Sequence, residues 1–483
     1  MRERTGLTPT LLALLITACT EDHPVSPGGS ARVASVQVSR NPNNGLAASV
    51  AVIAEHADSA RLLFAEDGGA PDSTPHVPLS RGRGTMPVLG LRERSRYRGV
   101  VEVAGAGGLA RSDSVTFTGD PLPELLQRVQ IAVSGTGGSG WTLTALPIDA
   151  RALVAFAFDS AGTIRWYREF ADPGAGGELK QQANGNFTIY IGASFGSQRV
   201  PGHYVEFTPA GDSVRAHAAP HPLYTDNHEL VLTGSGASER IHLFGYDHRT
   251  TDLTTLGGPP DAPLAGHYVL RLRPDGPTEF SWSGWDHFQV DNWIEPPWPG
   301  PADPDEPDFD HPNSLGFDLD GNYIVSWRNQ GQVTKIDAES GEVLWRLGGV
   351  DNQFTLVGDP LGGFSAQHHA QILPDGNLLL YDNGTRHDPQ VTRVLEYALD
   401  TAAMTATVVW EFRHDPPIYT PFVGSVQRLA NGHTVIGYGT AGVVTEVGAD
   451  GRVAWEAELR LDGQPAVAYR LIRIRSLYRF EQP

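Results

Sequence analysis

The chain has 483 residues, of which 40% are hydrophobic and 19% charged, and its formal net charge is −20 at pH 7. The length favours two domains or one large repeat architecture, and the charge argues against binding nucleic acid or anionic membrane surfaces. With 55 glycines and 36 prolines, the chain favours many turns and short strands over long helices. The single cysteine, Cys19, excludes an intrachain disulfide and a cysteine-based metal cluster.

Residues 1–19 have the pattern of an export signal. Two arginines precede an apolar stretch, residues 11–16, that is too short to span a bilayer. The following Ile16-Thr17-Ala18-Cys19 resembles a bacterial lipobox, with Ile in place of the preferred Leu. We therefore expect an exported periplasmic or cell-envelope lipoprotein, anchored to the membrane through Cys19 and joined to its first domain by a tether, residues 20–30. A plain secretory signal cleaved near Ala18 is the alternative.

Residues 31–119 predict a small β-sandwich of the fibronectin III or immunoglobulin type. Short strand-like runs alternate with Gly, Pro, Asn and Asp turns. The runs are 33–38, 47–54, 60–64, 97–103 and 114–117. The segment 91–100 resembles a tyrosine corner, in which the Tyr97 hydroxyl bonds back across the turn. The prolines at 121 and 123 indicate a stiff linker before the next domain.

Residues 125–483 repeat. A turn of the form Asx-Gly-Asn/His is followed at once by an apolar strand, and its glycines at 321, 376 and 432 recur at intervals of about 55 residues. A second element ends in tryptophan, at positions 166, 345, 410 and 455, and these side chains are expected in the core between blades. The interval suits a four-stranded blade, so the region predicts an all-β propeller of about six blades. The strand-like run 469–478 could close the ring beside an early strand.

The Pro-rich, acidic stretch 291–310 interrupts this repeat and predicts a long insertion between blades. Its carboxylates form a cluster in the sequence, for which a solvated loop is the expected interpretation and a divalent metal site the alternative. They are Asp303, Asp305, Glu306, Asp308 and Asp310.

Polar residues enter the inner strands of neighbouring blades at equivalent positions. Asn313 and His368 both lie eight residues before their turn glycines, and His311 shares a face with Asn313 because it is two residues away. His228 enters an earlier apolar strand in the same way. Inner strands line the central channel of a propeller, so these side chains are expected to converge. Arg328 and Asn383 follow the next strands at matching places, and His369 neighbours His368.

The ordered motifs resemble those of the bacterial arylsulfate sulfotransferases, from about residue 125 to the C-terminus. The matching stretches are Asn227-His228-Glu229-Leu230, His311-Pro312-Asn313-Ser314, Ser326-Trp327-Arg328, Trp345-Arg346-Leu347-Gly348-Gly349, Phe364-Ser365-Ala366-Gln367-His368 and Gly424-Ser425-Val426-Gln427-Arg428-Leu429. The resemblance implies nucleotide-independent transfer of a sulfuryl group from a phenolic sulfate to a phenol, with ping-pong kinetics and no cofactor or metal.

By the same resemblance, His368 is the nucleophile that becomes sulfohistidine, and either His228 or His311 is the base. Arg328 and Asn313 are expected around the sulfate oxygens. From their positions in the repeat, His369 and Asn383 are also expected to line the substrate site. The doubled histidine leaves His369 as the alternative nucleophile. The other propeller histidines, His242 and His267 among them, lack motif support, and surface or structural roles are expected for them.

Two other functions fit the sequence. One is a non-catalytic propeller that binds a carbohydrate or a surface partner. The other is a quinoprotein-like dehydrogenase, because Gly-x-Val-x-Trp repeats also occur in such enzymes. The scarcity of cysteine and the lack of a clear eight-blade count weigh against the dehydrogenase.

Overall fold

The computed structural model describes residues 29–138, 140–149, 151–171, 177–192, 202–293 and 307–480. The export signal with Cys19, most of the tether, and Asp303, Asp305 and Glu306 lie outside these residues. Within them the regular structure is almost all β-strand, paired antiparallel except where Thr355–Val357 runs parallel to its neighbour, and no helix has the length and apolar character needed to cross a bilayer.

Two sheets that share one core form the N-terminal β-sandwich. Strands Arg32–Arg40, Ala48–Glu55 and Arg83–Val88 form one sheet; Ser59–Glu66, Pro71–Ser73, Val77–Pro78, Arg96–Gly105, Gly108–Arg111 and Val115–Thr118 form the other. The tyrosine corner is present, because the backbone N–H of Arg92 donates to the Tyr97 hydroxyl at 2.8 Å. Alternating burial along Ala48–Glu55 puts the apolar side chains in the shared core.

Six further sheets form the propeller. The first blade contains Trp141–Asp149, Ala152–Phe158, Ile164–Ala171 and Ile472–Ile474; the second, Leu179–Gln181, Phe187–Ile191, His203–Phe207 and Ser213–His217; the third, Tyr224–Thr233, Arg240–Thr251, Ala262–Leu272 and Thr278–Ser283. The fourth blade contains Pro312–Phe317, Tyr323–Trp327, Gln332–Ile336 and Val343–Gly348. The fifth contains Thr355–Val357, His368–Ile372, Leu378–Asp382, Arg393–Asp400 and Thr405–Phe412. The sixth contains Val129–Gly135, Ser425–Arg428, Thr434–Tyr438, Val443–Val447, Val453–Leu461 and Gln464–Pro465. The fold prediction is confirmed.

Short helices occur between the strands. The α-helix Glu124–Gln127 lies between the sandwich and the first propeller strand, and 3-10 turns occupy Gly236–Ser238, Thr254–Leu256 and Gly284–Asp286.

Two pairings close the ring. The C-terminal strand Ile472–Ile474 pairs with Trp141–Leu143 and becomes the inner strand of the first blade. The strand Val129–Gly135 pairs with Val453–Leu461 and forms the outer edge of the sixth. Both ends of the domain are therefore held by strand pairing in blades of mixed origin, which protects the sheet edges at the closure.

The predicted repeat elements have clear structural roles. The turn glycines at 185, 321, 376 and 432 all have φ between 84° and 88°, the left-handed conformation that favours glycine. Trp166 and Trp455 are buried, and each indole N–H donates to a carbonyl of the following blade, Pro209 at 2.7 Å and Ser160 at 2.8 Å. These tryptophans therefore join adjacent blades, as the sequence predicted.

Candidate functional site

The inner strands of the third, fourth and fifth blades all lose regular register where they enter the channel. The shifts fall between Thr225 and Leu230, between Pro312 and Ser314, and between His368 and Gln371. An irregular strand re-aims the side chains beside it. The three irregularities therefore mark one rim of the channel as the place where polar side chains converge.

Backbone strain is concentrated at the same rim. His311, Ala366 and His369 have φ values of 47°, 50° and 50°. Residues with a Cβ rarely adopt this left-handed conformation, and it costs of the order of 1–3 kcal/mol when it is imposed. Strain of this kind is typical of functional sites.

Hydrogen bonds fix the orientation of the His368 ring. Its Nδ1 lies 2.7 Å from Asn383 Oδ1 and 2.9 Å from the carbonyl oxygen of Ala366. Asn383 itself is oriented by its Nδ2, which donates to the carbonyls of Thr420 and Val423 at 2.8 and 2.9 Å. Both neighbours of Nδ1 are therefore acceptors, so Nδ1 carries the proton and the lone pair is on Nε2.

The surroundings keep His368 neutral. Burial holds the pKa of His368 well below its usual range, and the charge of Arg328 lowers it further, while the hydrogen bond that His368 donates to Asn383 opposes the shift. The side chain is only 3% exposed. A neutral imidazole with its proton fixed on Nδ1 is a nucleophile at Nε2.

His228 and His311 lie face to edge beside this ring, with ring centroids 4.6 Å apart. Nδ1 of His228 lies 2.9 Å from Asp226 Oδ1, and Nδ1 of His311 is hydrogen-bonded to Asp308. Each carboxylate orients its imidazole so that Nε2 is the nitrogen available for proton transfer. Burial lowers the pKa of His311 to about 4, although Asp308 opposes the shift, so this ring is neutral near pH 7.

Arg328 and Asn313 complete the group. The backbone N–H of Arg328 donates to the His311 carbonyl at 2.9 Å, and its guanidinium donates to Asn329 Oδ1 at 2.7 Å. Asn313 is fully buried, and its Nδ2 donates to the carbonyl of Gln367, the residue before His368, at 2.7 Å. The structure thus brings His228, His311, Asn313, Arg328, His368 and Asn383 together.

His369 is directed elsewhere. Its Nδ1 accepts the backbone N–H of Val426, in the sixth blade, at 3.1 Å. Burial holds the pKa of His369 well below its usual range, and the charge of Arg470 lowers it further, while Glu229 opposes the shift. The bond to Val426 directs the ring toward the sixth blade, so the structure does not place His369 with His368 in the predicted substrate site.

Four ion-paired side chains lie next to Asn313 at the channel axis. Arg470 donates to Glu229 Oε2 at 2.9 Å and to the Asn313 carbonyl at 2.9 Å, and it is also paired with Glu178. Lys180 pairs with both glutamates. This group holds the Asn313 backbone through Arg470. Burial and the charge of Glu229 raise the pKa of Glu178 to about 8, although Lys180 and Arg470 oppose the shift.

The carboxylates at the end of the insertion are not solvated, and the expectation of a solvated loop is wrong for Asp308 and Asp310. They are 6% and 0% exposed, and they pack against His267, which is also 0% exposed. The ligand-type atoms of these three side chains lie within 4.8 Å of one another. His267 Nδ1 is already 2.6 Å from Asp310 Oδ1. The structure therefore describes the group as hydrogen-bonded side chains.

A family model described as Arylsulfotransferase (ASST) matches residues 205–460, from the second blade to the sixth. The match covers more than half of the chain. The chain belongs to the arylsulfotransferase family. No curated protein matches this arylsulfotransferase-family chain.

Solved structures resemble it only distantly. A protein of unknown function from Bacteroides caccae is 13% identical, with a TM-score of 0.41, over 70% of this chain and 100% of that one. A catalytically inactive virginiamycin B lyase from Staphylococcus aureus, solved with quinupristin, is 10% identical, with a TM-score of 0.34, over 67% and 87%. A nidogen/laminin complex is 11% identical, with a TM-score of 0.35, over 69% and 97%. At these scores the similarity carries no argument about function.

Sequence reasoning missed the carboxylates that orient the histidines of this arylsulfotransferase-family site. Asp226 lies two residues before His228, and Asp308 lies three residues before His311. A carboxylate so close to a candidate base was a usable signal. Asp382, whose Oδ1 accepts the backbone N–H of Ser365 at 3.0 Å and of Gly384 at 2.9 Å, could not be found from spacing.

Proposed function

We propose that this protein is a nucleotide-independent aryl sulfotransferase that moves a sulfuryl group from a phenolic sulfate ester to a phenol through a sulfohistidine at His368. The observation that carries the proposal is the fixed tautomer of His368. Its Nδ1 proton is held by Asn383 and Ala366, so the Nε2 lone pair faces away from them. Family membership supports the reaction class.

In the first step, His368 Nε2 attacks the sulfur of the aryl sulfate. A nitrogen–sulfur bond forms, the bond from sulfur to the phenolic oxygen breaks, and the electron pair leaves with the phenolate. The ring becomes a sulfoimidazolium whose Nδ1–H remains bonded to Asn383. Arg328 supplies positive charge to the sulfate oxygens by charge-assisted hydrogen bonds. As in phosphoryl transfer, positioning and charge stabilisation carry most of the catalysis.

In the second step, an acceptor phenol replaces the first product. Its oxygen attacks sulfur, the nitrogen–sulfur bond breaks, and the electron pair returns to His368 Nε2. The phenolic proton passes to Nε2 of His228 or His311, each held by its carboxylate. Because the donor's phenol leaves before the acceptor binds, the kinetics are ping-pong.

The proposal is tested by measuring transfer from para-nitrophenyl sulfate to a second phenol, with initial rates over a grid of both concentrations. We expect parallel double-reciprocal lines and a loss of at least about 10³-fold in the His368→Asn variant, since the nucleophile is gone. His433→Asn is the matched control, because His433 is bonded to Glu446 in a sixth-blade turn. Absence of transfer by the parental protein would leave the non-catalytic binding propeller as the better hypothesis.

We also propose that the protein is exported and lipidated on Cys19, which would place the site outside the cytoplasm. The support is the lipobox-like Ile16–Cys19 after a short apolar stretch. The test is mass spectrometry of the N-terminal peptide from membranes, with Cys19→Ser as the control. A Cys19 that carries no lipid in the mature protein would contradict the proposal.

A further inference from the structure

A continuous chain of buried carboxylates and imidazoles runs behind the two candidate bases. It starts at one base, passes through a third histidine, and ends at the other base. In order, its members are His228, Asp226, His267, Asp308 and His311, and Asp310 contacts His267 beside this chain. The sequence assigned no function to His267, and the proposed reaction does not use it directly.

His267 has carboxylates at both ring nitrogens. Nδ1 lies 2.6 Å from Asp310 Oδ1 and 3.7 Å from Asp308 Oδ1, and Nε2 lies 3.5 Å from Asp226 Oδ2. Its backbone N–H donates to Asp310 Oδ2 at 3.0 Å. A neutral imidazole has one N–H and could face only one of these acceptors favourably. The geometry therefore calls for the doubly protonated ring.

The charge balance leads to the same result. Three carboxylates lie beside a site that binds an anionic ester, and a buried cation among them reduces their repulsion of the substrate. Burial lowers the pKa of His267, but Asp310 and Asp308 outweigh it and hold this pKa well above its usual range. The other groups facing the ring are Tyr246, whose ring centroid is 5.6 Å away, and His248. Burial lowers the pKa of His248 and the charge of His267 lowers it further, so His248 does not compete for the proton.

We propose that His267 is a positioning residue, a permanent imidazolium that keeps Asp226 and Asp308 ionised and so fixes the proton-accepting nitrogens of His228 and His311. His267 touches no substrate. Its positive charge acts on the carboxylates of both bases. Either His228 or His311 can therefore take the phenolic proton while the other base keeps its orientation. This inference deepens the proposed function and rests on it.

The first test measures the protonation state of the His267 ring directly and does not depend on catalytic activity. Long-range ¹H–¹⁵N NMR spectra of histidine-labelled protein would be recorded from pH 5 to pH 8, with His267→Gln used to assign the signal. We expect both ring nitrogens of His267 to remain protonated throughout. A single neutral tautomer at pH 7, or a bound metal ion in place of the Nδ1 proton, would overturn the proposal even if the protein is a sulfotransferase.

The second test separates the two half-reactions. In His267→Gln, sulfation of the protein by para-nitrophenyl sulfate should proceed within about threefold of the parental rate, because His368 is untouched. Transfer to phenol should slow at acidic pH, and the acidic limb of its pH profile should move up by about one unit, since a nearby cation no longer disfavours base protonation. An unchanged limb would overturn the proposal.

Two further variants distinguish charge from structural damage. His267→Gln/Asp310→Asn removes one negative charge together with the positive one, so the acidic limb should return toward its parental position. His242→Gln is the matched control for loss of a buried histidine, because His242 is 4% exposed and bonded to Tyr323 and Thr233. A limb that moves equally in His242→Gln would contradict the proposal. If even the parental protein is not sulfated, the proposed function fails, and the NMR result still decides the state of His267.

Discussion

Replacing Asn383 with leucine removes the side chain that orients His368 while keeping a similar volume. Asn383 is fully buried, and it accepts from His368 Nδ1 at 2.7 Å and donates to the carbonyls of Thr420 and Val423. Leucine leaves these two carbonyls without their amide donor. At about 1–3 kcal/mol for each unmet buried group, with Thr420 O still accepting from Thr392 at 3.4 Å, we expect a loss of about 2–4 kcal/mol in the free energy of unfolding.

Asn383→Leu should have a moderate effect on the rate at which His368 is sulfated. His368 Nδ1 keeps its second acceptor, the carbonyl of Ala366 at 2.9 Å, so the tautomer survives and only the precision of the ring's orientation is lost. Supporting hydrogen bonds to metal-bound histidines are worth about 10–100-fold, and we expect the same fall here, equal to about 1.4–2.8 kcal/mol of barrier.

The assay is the burst of para-nitrophenol when enzyme in excess meets para-nitrophenyl sulfate without an acceptor, with unfolding in urea measured in parallel. Asn41→Leu is the control, because this buried amide of the sandwich also makes two bonds to backbone groups. It should cost stability and leave the burst unchanged. If Asn383→Leu is sulfated at the parental rate, Nδ1 orientation does not prepare the nucleophile.

Three other outcomes follow from the geometry. Arg328→Gln should lower kcat/KM for the aryl sulfate by about 10²–10³-fold. Arg328→Lys should lower it by less, because lysine keeps the charge and loses only the planar guanidinium. Arg452→Gln, at an exposed arginine, is the control, and an equal loss in Arg328→Gln and Arg452→Gln would refute the role of Arg328 in binding the sulfate. Burial lowers the pKa of His311 to about 4 in the native state. As pH falls from about 6.5 to 4, His311 therefore takes up a proton in the unfolded state and not in the native state, so Tm should fall over this range and level off above it. A Tm that rises on acidification would contradict this prediction. Gly284→Ala would put a Cβ 2.1 Å from Asp310 Oδ2 and should impair transfer to phenol more than sulfation, whereas Gly316→Ala, with open space around its Cβ, should do neither.

The repeat was predictable because it is a local property of the chain. The turn glycines must adopt positive φ, and the tryptophans must fill the space between blades, so both recur in the sequence. The convergence of Asn313 and His368 was predictable for the same reason, since equal spacing from the turn glycine gives equal depth in the ring. That is why the convergence of polar side chains from several blades could be predicted without a structure.

The predictions that failed are those that depend on which way a side chain points and on contacts between distant parts of the chain. His368 and His369 are adjacent, and only the irregular strand shows that one joins the site and the other meets Val426. Asp308 and Asp310 lie in an acidic stretch that suggests solvation, and their burial depends on contact with His267, about 40 residues earlier in the chain. Composition and spacing carry no information on such partners.

The most direct test of the central claim is the covalent intermediate. Protein mixed with aryl sulfate and no acceptor would be quenched, digested, and analysed by tandem mass spectrometry under conditions that preserve nitrogen–sulfur bonds. The account predicts one sulfuryl group on His368, absent in His368→Asn and lost when an acceptor phenol is added. A sulfuryl group on His369, or transfer with no adduct at all, would contradict it.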